Sequence, residues 1–160
     1  MDLCNIREIK ALLGRHGFHF SKSMGQNFLI AGWVPQDIAD AAGLDKSCAV
    51  LEIGPGIGPL TRQLSLRAGK VAAVELDSSL LPILRETLAD CSNVEVIPGD
   101  IMKLDIGAII SDKFSGFTVK ACANLPYNIT TPVLTKLLEA GCFQSITVMI
   151  QREVARRICA

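Results

Sequence analysis

Apolar and polar positions follow two rhythms along this chain, and the change from one to the other falls near residue 48. Before that point the spacing is helical. Ile6, Ile9, Leu12 and Leu13 recur at three- and four-residue intervals behind Asn5 and Glu8, which together resemble a capping box, so a short amphipathic helix is predicted ahead of Gly14. The following stretch, FHFSKSMGQNFLI, mixes Phe18, His19, Phe20, Ser21, Lys22 and Ser23 without a period. It reads either as an ordered loop with a functional part or as a polar linker whose aromatics tuck onto the core. Pro35 then suits the first turn of a second helix, running to Ala42 and closed by Gly43.

From Ala49 onwards short apolar runs alternate with helical patterns. The predicted strands are Ala49–Ile53, Val71–Glu75, Val94–Ile97, Thr118–Ala123 and Ile146–Ile150, with helices between most of them, notably Leu80–Leu88 and Val133–Leu138. That alternation predicts an α/β fold built on a doubly wound, mostly parallel sheet. Pro132 stands at a plausible first helical position behind Thr131, and Gly141 closes that helix. The segment QREVARRICA opens a further helix. Stopping there exposes the edge of the last strand, so the sheet is expected to be truncated before its last strands. Two parts are expected: an N-terminal helical segment with its loop over 1–48, and the sheet core over 49–160.

The stretch VLEIGPGIGPL is the centre of this pattern. AVLEI reads as an apolar strand buried on both faces, and it feeds Gly54, Gly56 and Gly58 at alternate positions before the helical segment PLTRQLSLRAG, which ends at Gly69. Glycine there permits a tight turn and lets a ligand approach the backbone without meeting a Cβ. The dinucleotide fingerprint would carry a third glycine where Pro59 stands, which weighs against a nicotinamide oxidoreductase.

Composition narrows the picture only in part. With 49% hydrophobic and 20% charged residues the chain reads as a globular domain, and no apolar run reaches bilayer length, so no membrane partner is expected. Sixteen basic residues balance 16 acidic ones, so any contact with nucleic acid must be local. Six cysteines without CxxC or Cys/His spacing read as reduced, mostly core residues, with no metal site. Together with an N-terminus lacking a secretory pattern they suggest a cytoplasmic protein, a nucleolar or organellar location being left open.

In an open parallel sheet ligands lie beyond the carboxyl ends of the strands. After the second predicted strand stands Glu75, at the distance past the glycines where an acid accepts from a ribose diol; the alternative is an acid serving a helix N-terminus, a role that Asp77 fills equally well. After the third, in VEVIPGDIM, Asp100 can accept from an exocyclic amine, with Ile101 and Met102 offering an apolar face to a ring, or the Gly-Asp pair is a simple turn. After the fourth come Asn124, Leu125, Pro126 and Tyr127. Proline holds Leu125 extended, so the Asn124 side-chain oxygen and the carbonyl between Leu125 and Pro126 can converge on one amino group while Tyr127 stacks on the ring that bears it. This is an amine-methylation site in outline.

With these residues assembled, the sequence resembles the ribosomal RNA adenine N6,N6-dimethyltransferase family of S-adenosylmethionine-dependent enzymes, of the small-subunit dimethyladenosine transferase type. The resemblance runs from about Phe20 to the end, through GQNFL, EIGPGIGPLT, VELD, GDIM, NLPYNIT and QREVARRI. It implies a Rossmann-like methyltransferase fold, with S-adenosyl-L-methionine as cofactor. Gln26, Asn27 and Leu29 would close over it, Gly54 and Gly56 would approach its methionine part, and Glu75 with Leu76 would hold its ribose. Asp100 with Ile101 would take its adenine. Asn124 would stand between its methyl group and the substrate amine, with Leu125, Pro126 and Tyr127 completing the catalytic set. The implied partner is small-subunit ribosomal RNA, or the pre-ribosomal small subunit, with adjacent target adenosines. Family members continue into a small helical domain, which is expected to be absent from residues 1–160. Alternatives are a large-subunit ribosomal RNA adenine N6-methyltransferase and a non-catalytic RNA-binding assembly factor. Arg152, Arg156, Arg157 and Lys22 are candidates for phosphate contact, with a solvated helix face the alternative for the three arginines.

Overall fold

The computed structural model describes residues 1–18, 31–125 and 129–160. Helix α1 spans Ile6–Arg15, and α2 spans Trp33–Ala41. The sheet region then runs β1 (Cys48–Ile53), α3 (Pro59–Arg67), β2 (Lys70–Glu75), α4 (Leu81–Thr87), β3 (Val94–Pro98), α5 (Ile106–Lys113), β4 (Thr118–Asn124), α6 (Thr130–Ala140), β5 (Ser145–Met149) and α7 (Arg152–Ile158). All five predicted strands form, each within a residue of its predicted ends.

The strands lie in the order β3-β2-β1-β4-β5, and every pair is parallel. The chain winds outward from β1 to β3 and then crosses to β4 on the other side. The reversal between β1 and β4 is the switch point at which such sheets bind ligands. Register aligns the carboxyl ends there: Ile53 lies beside both Val74 and Ala123, Glu75 beside Pro98, and Asn124 beside Met149.

Both faces of the central strands are covered, which is why β1 is buried along its whole length. Ala49, Leu51, Ile53, Val74 and Ala121 pack on one face with Phe114 and with Val133 and Leu137 of α6. Val50, Val71 and Cys122 pack on the other with Ile38 and Ala39 of α2 and Leu60 and Leu64 of α3. Truncating a fully buried leucine such as Leu51 to alanine costs about 2–5 kcal/mol. A third cluster joins Ile9, Leu12 and Leu13 of α1 to Ile57 of the glycine loop and to Leu80 and Ile83, so α1 packs directly on the segment that shapes the site.

Helix ends show where local signals held and where they slipped. Asn5 caps α1 through its side-chain oxygen, which accepts from Arg7 N–H at 3.0 Å, but Glu8 accepts from Asp2 N–H at 2.6 Å and leaves the capping box half made. Helix α1 continues past Gly14 to Arg15, and Ile6 is an exposed member of its apolar set. Helix α2 starts two residues before Pro35, and α6 starts at Thr130, which makes Pro132 its third residue. Proline lacks only an N–H that the first turn leaves unpaired, so it is accommodated through that turn as well as at its first position. Gly43 and Gly141 end their helices with φ of +61° and +64°.

At the amino ends of the strands lysines close exposed carbonyls. Lys46 Nζ donates to Leu66 O and Ala68 O, Lys70 Nζ to Lys113 O, and Lys120 Nζ to Gly43 O at 2.7 Å. The cysteines divide differently from expectation: Cys48 and Cys122 are buried, Cys4, Cys91 and Cys142 are half-buried and Cys159 is exposed, all as free thiols. Apolar helix faces fill most of the core, so only the two strand cysteines reach it.

Candidate active site

The loop after β1 leaves the sheet through glycines in left-handed conformations, with φ of +70° at Gly54 and +62° at Gly56. A Cβ at Gly54 would meet no atom within 4 Å, so its backbone faces open space. Gly54 N–H donates to Val74 O at 2.9 Å, which fastens the loop to the end of β2.

Glu75, the last residue of β2, is 6% exposed. One carboxylate oxygen accepts from Gly56 N–H at 3.1 Å and the other from Asp77 N–H at 2.9 Å. Burial raises its pKa above the usual carboxylate range, and these backbone donors oppose the rise by favouring the charge. Glu75 therefore braces the glycine loop at the carboxyl end of the sheet. The helix-end task goes to Asp77, whose Oδ1 accepts from Ser79 N–H at 2.9 Å and caps the turn Ser78–Leu80. Leu76 is 68% exposed beside Glu75.

Asp100 follows β3, and its Oδ1 accepts from Met102 N–H at 2.9 Å. The turn reading of the Gly-Asp pair is thus realised, on the same sheet end as Glu75. The apolar face expected from both neighbours comes from one of them only: Ile101 packs into the core, whereas Met102 is exposed. Asn124 ends β4, half-buried, in register with Met149 of β5. Leu125 is buried, and its N–H donates to Met149 O at 3.2 Å, so the chain is still held to the sheet one residue beyond the strand. Gly54, Gly56, Glu75, Asp100, Asn124 and Leu125 all follow or end strands at one end of the sheet. Gln26, Asn27, Leu29, Pro126 and Tyr127 lie outside the described residues.

One buried carboxyl escaped the pattern analysis. AVLEI is not a purely apolar run, because Glu52 sits inside it, and the fold buries that side chain beneath α3. Thr61 Oγ1 donates to Glu52 Oε2 at 2.6 Å, tying the first turn of α3 to β1 directly under the glycine loop. Burial, with the nearby Glu75 charge adding to it, pushes the Glu52 pKa up to about 8, so this carboxyl is largely neutral at pH 7. The signal was present in the sequence as an acid in an otherwise apolar strand.

The strand order, the glycine loop after β1 and the acid ending β2 define a domain of the S-adenosylmethionine-dependent methyltransferase type. The crystal structure of the 23S rRNA methyltransferase ErmE superimposes with a TM-score of 0.69 at 34% identity, over 81% of this chain and 50% of that one. That of a dimethyladenosine transferase from Plasmodium falciparum gives 0.65 at 32% identity, over 80% and 44%. The family model for ribosomal RNA adenine dimethylase matches residues 17–160, and the chain belongs to that family. A ribosomal RNA small subunit methyltransferase A from Alkaliphilus metalliredigens is 49% identical over 152 residues, covering 94% of this chain and 53% of that protein. The chain spans about half the length of the curated relatives it matches.

Proposed function

We propose that this chain is the catalytic part of a S-adenosylmethionine-dependent enzyme that dimethylates N6 of adjacent adenosines in small-subunit ribosomal RNA, working in the cytoplasm. The observation that carries this reading is the placement of the Gly54–Gly56 backbone, Glu75, Asp100 and Asn124 at the carboxyl end of one parallel sheet. The residues fit the cofactor. Open space above Gly54 admits its methionine part, and the buried Glu75 carboxylate, already oriented by two backbone donors, accepts from its ribose hydroxyls. Asp100 accepts from its adenine amine, while Leu76 and Met102, both exposed, cover the ring. The Ile101 side chain is packed in the core, so in this reading only its backbone reaches the adenine edge. Gln26, Asn27 and Leu29 close over the pocket in this reading.

The bound cofactor supplies an electrophilic methyl group. What the protein must do is make a poor nucleophile competent, because the lone pair of an aromatic amine is delocalised into its ring. The side-chain oxygen of Asn124 and the carbonyl of Leu125 accept from the two N–H groups, which favours a more pyramidal nitrogen. They also stabilise the positive charge that develops as the new bond forms. Pro126 holds that carbonyl in place, and Tyr127 stacks on the target base, which must leave its own stack to arrive. The surplus proton is acidic once the methyl has transferred, so no strong base is needed.

The test has two parts. Calorimetric titration should show saturable binding of S-adenosylmethionine and none of reduced nicotinamide dinucleotide. Full-length protein should then transfer two methyl groups per adenosine to small-subunit ribosomal RNA, and transfer to large-subunit RNA alone would replace this reading with the runner-up.

A further inference from the structure

The chain is neutral overall, yet α7 carries Arg152, Arg156 and Arg157 against the single acid Glu153. All three arginines are exposed, and none has an ion-pair partner among the described residues. At 100° per residue Arg152 and Arg156 share one face, a turn apart and roughly opposite the buried Val154, whereas Arg157 lies towards Glu153. Two local rules are broken here. Like charges at this spacing weaken a helix, and Arg152 is the first helical residue, where the macrodipole disfavours a cation. An anion lying across both side chains would offset both effects, and departures of this kind collect at functional positions.

The position of α7 says where that anion would lie. Met149 ends β5 beside Asn124 and accepts from Leu125 N–H, and α7 begins three residues later. Arg152 therefore emerges at the sheet end where Asn124 stands. Many other cations are already engaged: Lys46, Lys70 and Lys120 on carbonyls at the opposite end, and Arg62, Arg67 and Lys113 in ion pairs with Asp90, Asp40 and Glu95.

We propose that Arg152 and Arg156 form a phosphate-binding stripe that seats the RNA backbone beside the nucleotide held at Asn124. The inference rests on the RNA reading of that site. Guanidinium groups match phosphate oxygens in pairs, and such contacts set the register of the RNA without reading its sequence. The partner is the sugar-phosphate chain itself, so the contribution is strongly salt-dependent.

The experiment measures affinity of the full-length protein for protein-free small-subunit ribosomal RNA across a salt series, with S-adenosylmethionine affinity and thermal melting in parallel. In R152Q/R156Q the slope of log affinity against log salt should flatten by about 1.4–1.8, and the gap to wild type should close by roughly tenfold between 50 and 200 mM salt. Cofactor affinity should stay at its wild-type value, and the melting temperature should stay at or slightly above it, since two unfavourable charges leave the helix. R152K/R156K should keep the wild-type salt slope, because both charges remain, with affinity between that of wild type and R152Q/R156Q, because the paired guanidinium contacts are lost; R157Q should remain within about twofold of wild type. An unchanged slope in R152Q/R156Q overturns the stripe, as does an equal loss in R157Q, which would mean diffuse charge. A loss that persists undiminished in R152K/R156K together with a lowered melting temperature would assign the arginines to packing against the rest of the protein. Wild-type protein that binds no RNA would instead overturn the functional reading beneath the inference.

Discussion

Glu52 and Glu75 are both buried carboxyls on neighbouring strands, and their surroundings give them opposite tasks. Glu52 meets a single hydroxyl donor and holds its proton; Glu75 meets two backbone N–H groups, which favour its charge. The Glu52 pKa is raised from 4.5 to about 8, so the folded state retains a proton that the unfolded chain releases. Stability is therefore unaffected below about pH 4.5, falls as pH rises towards 8, and levels off above it, with a total cost of up to about 5 kcal/mol. Glu52→Gln should remove that slope, which urea unfolding of both proteins at pH 5, 7 and 9 would detect. In the ribose-binding role proposed for Glu75, the ionised form is the one that accepts both hydroxyls. Cofactor affinity should fall as pH drops into its raised titration range, and Glu75→Gln should abolish this dependence while weakening binding about ten- to a hundredfold by calorimetry. Asn124→Ala in the full-length protein should lower the methylation rate with cofactor affinity near normal, since its bonds form mainly with the reacting amine. Joint loss of both would mark Asn124 as structural.

Two glycines on either side of α3 separate function from packing. At Gly69, just before β2, a Cβ would stand 2.2 Å from Lys46 O and 2.8 Å from Phe117 Cε1, so the chain crosses there with no room for a side chain. Gly69→Ala should destabilise the fold by about 1–3 kcal/mol in a denaturant melt and leave intrinsic cofactor affinity in the folded fraction unchanged. Gly54→Ala meets no protein atom but must adopt a strained φ and projects a methyl group into the space assigned to the cofactor. It should cost about 1 kcal/mol of stability and far more of cofactor affinity. Helix α1 is tied to this unit by its apolar face and by Arg15 and His16, which converge on Glu86 of α4. Asn5→Ala should therefore loosen more than a helix end: about 1 kcal/mol of stability is expected to go with its cap.

A ligand that binds only the folded chain adds stability by mass action. S-adenosylmethionine at a hundred times its dissociation constant should raise unfolding free energy by about 2.7 kcal/mol, and the nicotinamide control should add nothing. The strands, their order of occurrence, the glycine loop and the polar residues at strand ends were all legible in the chain, because each depends on local spacing. A strand buried on both faces is mostly apolar, with Glu52 the one break in β1, and a backbone turning through left-handed conformations favours glycine. Strand-end position singled out Glu75, Asp100 and Asn124, and the family motifs added Gln26, Asn27 and Leu29. The slips at Pro35 and Pro132 were of two residues, since a helix tolerates proline anywhere in its first turn. Other assignments depended on residues distant in sequence. Ile101 was assigned to a ligand face but packs in the core, since its direction is set by α5 and β4. Asp77 rather than Glu75 caps the turn after β2 because Gly56, nineteen residues away, claims the Glu75 carboxylate. Glu52 is neutral at pH 7 only because α3 seals it from water. Spacing along the chain determines which elements form; charge state and side-chain direction at the site follow from what long-range packing brings against each group.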